Sequence, residues 1–84
     1  MGGKNEKDKA RLRTVPADYT FNEARRLLIS LGYVEYNKGK SSGSRVMFAR
    51  DGIKILLYKP HPGNVMKQYA VRQLKEQLES TGEL

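Results

Sequence analysis

An α+β fold is what this sequence predicts: a three-stranded antiparallel sheet with two helices on one face, in the order α-β-β-β-α. Three observations carry the prediction. Two β-prone runs, 45–50 and 53–59, flank the dipeptide Asp51-Gly52, which suits the two positive φ angles of a type I′ hairpin turn. Ahead of them, Thr20-Phe-Asn-Glu23 has the form of a capping box, in which hydroxyl and carboxylate each bond the other's backbone amide. Behind them, Val71, Leu74 and Leu78 recur at helical spacing.

In chain order, residues 1–18 are polar, charged and without a hydrophobic period, and read as a disordered basic arm. The box at Thr20 opens a helix over 21–31. Phe21, Ala24, Leu27, Leu28 and Leu31 share one face of it, and Gly32 ends it. Residues 33–38 read as the first strand and 39–44 as a Gly/Ser connector. The connector follows no strand-to-helix context, so its Gly-Lys-Ser is not a P-loop.

A two-residue turn at Asp51-Gly52 fixes the hairpin register. Arg50 faces Ile53, Ala49 faces Lys54, Phe48 faces Ile55, Met47 faces Leu56, Val46 faces Leu57 and Arg45 faces Tyr58. Val46, Phe48, Ile53, Ile55 and Leu57 then form the core face. Arg45, Met47, Ala49, Lys54, Leu56 and Tyr58 form the opposite face. Pro60 and Pro62 stop the third strand, because proline cannot donate to a ladder. A last helix follows from 69 or 70 to Ser80.

At 84 residues the chain makes one small domain. It has no cysteine, hence no disulfide framework, and no apolar run near the ~20 residues that cross a bilayer, so a cytoplasmic setting without membrane contact is expected. The formal charge of +7 points to a polyanionic partner. Residues 1–14 hold five basic and two acidic side chains and the rest eleven and seven, so the excess is spread along the chain. There is no Gly-x-Ser-x-Gly elbow, no second histidine for a triad, and no metal-ligand spacing. No cofactor is expected.

The run Leu27-Leu-Ile-Ser-Leu-Gly-Tyr33, the Gly43-Ser44 pair opening the second strand, the segment Pro60-His-Pro-Gly63 and the closing helix resemble, in order and spacing, the HicA family over about 19–84. The resemblance implies a double-stranded-RNA-binding-domain-like fold. It also implies the toxin of a HicA–HicB toxin–antitoxin system, an mRNA interferase (a ribosome-independent endoribonuclease) held in check by a HicB-like antitoxin. Many family members carry a catalytic histidine straight after the Gly-Ser pair; here Arg45 stands there. His61, the one histidine of the chain, matches the family's second common histidine.

Cleaving RNA by internal transesterification needs a base near the ribose 2′-OH, an acid near the leaving 5′ oxygen, and cations for the charge on phosphorus. His61 is the one ready-made base. Arg45 and Lys59 are candidates to stabilise the phosphorane, Tyr58 to donate a proton, and Ser44 completes a cluster at one end of the sheet. For binding, Lys40, Ser44, Arg45, Lys54, Tyr58, Lys59 and Lys67 offer phosphate contacts and one stacking ring. Two alternatives stand beside this reading. The chain is a non-catalytic nucleic-acid-binding module of the same fold, with His61 packed in a tight turn, or a protein-interaction domain whose charge serves solubility.

Overall fold

The computed structural model describes residues 3–36, 45–60 and 63–84. Its elements are α1 (Gly3–Arg13), α2 (Phe21–Ser30), β1 (Val34–Tyr36), β2 (Arg45–Arg50), β3 (Ile53–Tyr58) and α3 (Gln68–Ser80). The strands form one antiparallel sheet in the order β1-β2-β3. Apart from α1, this is the α-β-β-β-α arrangement the sequence predicts.

The hairpin register agrees pair for pair, from Arg50 opposite Ile53 to Arg45 opposite Tyr58. At the turn Asp51 has φ +50° and Gly52 φ +83°, the positive pair that a type I′ turn demands. The capping box is formed as well: the Glu23 amide donates to Thr20 Oγ1 at 3.2 Å, and the Thr20 amide donates to Glu23 Oε1 at 2.9 Å. Gly32, at φ +99°, turns the chain from α2 into β1. A side chain there would also meet the Arg50 Cδ at 3.3 Å.

Alternation sorts the sheet into two faces. Val46, Phe48, Ile55 and Leu57 are buried against Phe21, Leu27 and Leu28 of α2 and Val71, Leu74 and Leu78 of α3. Leu31, expected in the core, is only partly buried. The core also holds Tyr19, Tyr33 and Met66, which no periodic pattern had marked. Residues 64–66 return alongside 19–21: the Phe21 amide donates to the Asn64 carbonyl at 2.9 Å and the Met66 amide to the Tyr19 carbonyl at 2.8 Å.

The N-terminal segment is a correction to the sequence reading. Instead of an unstructured arm, Gly3–Arg13 is a helix packed on α2 and α3, and Leu12 is fully buried. One leucine in a run of charges gives no period to read, yet it is enough to anchor the helix when its polar neighbours also find partners. Arg11 donates through Nε to Glu23 at 2.5 Å and pairs with Asp18 at 3.0 Å, while Arg26 pairs with Asp8 at 3.4 Å.

Candidate nucleic-acid interface

The face of the sheet turned away from the helices carries three cross-strand rows. Tyr36, Met47 and Leu56 run across its middle; Val34, Ala49 and Lys54 lie toward the hairpin turn; Arg45 and Tyr58 lie at the other end. Arg45 and Lys54 are exposed, Tyr58 is 58% exposed and Leu56 45%. This surface combines cations, two tyrosine rings and apolar area, and among the described residues no helix covers it. It follows from the alternation in β2 and β3: once Val46, Phe48, Ile55 and Leu57 turn inward, the residues between them must turn out.

Of the residues proposed from sequence, the structure brings Arg45 and Tyr58 directly opposite each other, with Lys59 next along the chain. Lys54 lies four residues along β3 from Tyr58, about 13 Å away at strand rise, so it does not join that cluster. Lys67 is exposed at the N-cap of α3 and lines a groove together with Tyr58 and Lys59. Lys40, Ser44 and His61 lie outside the described residues. On either side of His61 the chain is described: Pro60 and Gly63 both border a cavity of ≈ 570 Å³ lined also by Lys59, Asn64 and the α2 residues Phe21, Asn22 and Arg25. Arg25, off the apolar stripe of α2, is held there by Glu35 at 2.7 Å. Among the described residues no three carboxylate or imidazole groups gather as metal ligands.

Two arginines that sequence reasoning passed over organise the scaffold around this face. Arg50 Nη1 donates to the Leu31 carbonyl at 2.5 Å, Nη2 pairs with the Glu83 carboxylate, and the guanidinium lies 5.0 Å from the Tyr33 ring centroid. The hydrogen bond that Arg50 donates to Glu83 raises its pKa above the ordinary arginine value. Arg11 plays the same part for α1. For Glu23, burial pushes the carboxyl pKa up, but the hydrogen bonds from Arg11 and from the Thr20 amide and hydroxyl together outweigh it and leave the group below its ordinary value. Burial also pushes the Tyr19 phenol up, and there nothing outweighs it, so the group stands well above the usual tyrosine value. Neither arginine could be found from spacing, because the acceptors of their side-chain hydrogen bonds lie between 7 and 33 residues away.

The fold and this surface define a small basic α+β domain with a cation-bearing sheet face turned away from the described helices. The model of the HicA toxin of bacterial toxin–antitoxin systems matches residues 21–79, more than half of the chain. The chain therefore belongs to the HicA toxin family and is the toxin component of a toxin–antitoxin system, which implies an antitoxin partner. The matched region begins at the first residue of α2 and leaves α1 outside it. No match is found among curated proteins or among solved structures. No described helix is long and apolar enough to cross a membrane.

Proposed function

We propose that this toxin is an mRNA endoribonuclease that binds RNA on the cationic end of its open sheet face and is neutralised in the cytoplasm by a HicB-like antitoxin covering the same face. The observation that carries the reading is the exposed pair Arg45 and Tyr58, cross-strand neighbours at the end of the sheet from which the chain leads through Lys59 and Pro60 to His61. Residues 19–84 constitute the RNA-binding domain. Exposed Leu56 and half-buried Met47 give the antitoxin apolar area to bury between the cations.

In the proposed reaction the His61 imidazole takes the proton of the ribose 2′-OH. The freed 2′ oxygen bonds to phosphorus, and the bond from phosphorus to the 5′ oxygen breaks, leaving a 2′,3′-cyclic phosphate. Tyr58 returns a proton to the departing 5′ oxygen. Arg45 and Lys59 balance the charge that builds on the phosphoryl oxygens. Lys40, Ser44, Lys54 and Lys67 contact flanking phosphates. They set affinity rather than sequence preference, since phosphate contacts carry no base information.

Cleavage of a single-stranded RNA in metal-free buffer by the wild type, His61→Ala and Arg45→Ala tests the proposal. Loss of the imidazole should lower the rate at least about 100-fold, the usual contribution of a general base. Unchanged cleavage by His61→Ala removes it from the mechanism. The second reading, a non-catalytic binding module, is favoured by Arg45 standing where many family members place a histidine. Under that reading wild type binds RNA in a salt-sensitive way and leaves it intact.

A further inference from the structure

Among the described residues the third strand is an edge strand, with no strand paired to its outer side. With a two-residue turn, Arg50 and Ile53 exchange the first ladder bonds, so the bonded pairs are Phe48 with Ile55 and Val46 with Leu57. The amides and carbonyls of Lys54, Leu56 and Tyr58 consequently point away from β2. The Lys54 carbonyl accepts a hydrogen bond from Gln77 Nε2 at 3.4 Å. Among the described residues, no other backbone or side-chain group bonds the main chain of Leu56 or Tyr58 from this side.

Alongside that edge runs a groove of ≈ 480 Å³ between β3 and α3. Its rim carries Leu56, Tyr58, Val65 and Tyr69, the last two 50% and 62% exposed. Lys59 and Lys67 stand at one end, and among the described residues no aspartate or glutamate lines it. An unpaired strand edge beside an apolar trough is the geometry that strand addition uses: main-chain bonds give affinity, and pockets for alternate side chains give selectivity.

We propose that this edge binds an extended peptide segment of a partner protein, added to β3 as a fourth strand, with apolar and acidic side chains in alternation. On an added strand every second side chain faces the apolar trough against α3. The others join the open face, where Arg45, Lys54 and the rim lysines attract carboxylates. A peptide satisfies both kinds of free backbone group at Leu56 and Tyr58, whereas RNA phosphates accept from the amides and leave the carbonyls unpaired. A second copy of this chain would bring its own Lys54, Lys59 and Lys67 against the first set. The inference does not rest on RNA cleavage, and a chain inactive on RNA would still show it.

Selection of a random 12-residue peptide display library on the full chain, followed by amide hydrogen exchange with the enriched peptides, tests this. Expected are binders with at least five residues alternating apolar and acidic, which slow exchange at Leu56 and Tyr58 by tenfold or more. The exposed-rim variant Val65→Glu/Lys67→Glu should weaken them at least tenfold, and so should Leu56→Pro, which removes one edge amide where proline is tolerated. Circular dichroism confirms that each variant is folded; if Leu56→Pro is not, the rim variant decides. Absence of binders, binders without alternation, or binders that leave those two amides fast would overturn the proposal. So would protection of the same amides by a 12-nucleotide RNA instead, or by rising protein concentration without peptide, which would give the edge to RNA or to a second copy.

Discussion

At the scale of single residues, the junction around Thr20 and Glu23 concentrates more interactions than its exposure suggests. The two residues close the capping box at the head of α2, and Glu23 also receives Arg11 from α1. Thr20→Ala should cost about 1 kcal/mol, the usual value of an N-cap hydroxyl, read as a shift in urea midpoint with unchanged slope. Because the folded state holds the Glu23 carboxyl below its ordinary value, the stability it contributes is complete above the unfolded carboxylate value near ~4.3. That contribution is lost as pH falls through the lower, folded value, where the native state must also take up the proton. Glu23→Gln should therefore lower stability at pH 7 and flatten its decline between neutral and acid pH. Urea titrations at a series of pH values measure both, and a variant with the wild-type acid limb would show that other carboxylates set it.

At the scale of elements, α1 and the hairpin turn make opposite demands on sequence. Among the described residues of the helix at 3–13, Leu12 is the one fully buried side chain, and the ion pairs of Asp8 and Arg11 add to its hold. Leu12→Ala should accordingly cost about 2–5 kcal/mol, as for other buried leucines; a solvated arm would lose almost nothing. Chemical denaturation followed by circular dichroism separates the two. The hairpin instead depends on backbone conformation. No atom lies within 4 Å of a side chain placed at Gly52, so Gly52→Ala meets no clash, only the strain of φ +83°. It should cost about 1–2 kcal/mol, visible as a lower thermal midpoint, with the register unchanged.

At the scale of the whole molecule, the proposed RNA binding makes the charge of +7 and the cationic sheet face testable by their salt dependence. RNA affinity should fall linearly with the logarithm of salt concentration, with a slope near ~0.7 for each phosphate neutralised. Charge reversal at Arg45 should reduce the magnitude of that slope, whereas reversal at Arg72, exposed on α3 and off the sheet, should change it little. Fluorescence anisotropy with a labelled oligonucleotide over a salt series reads both. Equal effects at the two positions would mean that net charge, not this face, attracts RNA.

The hairpin register, the capping box, the limits of α2 and the inward set Val46, Phe48, Ile55 and Leu57 were all legible in the sequence. Each is written in residues two to four positions apart, where backbone geometry alone decides the outcome. Arg45 opposite Tyr58 followed from the same short-range logic. Other features were not legible, because they are made between residues far apart in the chain. Tertiary packing decided that Leu12 pins a helix onto the helical layer, that Met66 returns beside Tyr19, and that Arg50 joins the hairpin to Leu31 and Glu83. It also decided that α3 stops short of covering the outer edge of β3. A local pattern specifies which way a side chain turns; only the assembled fold determines what it meets there.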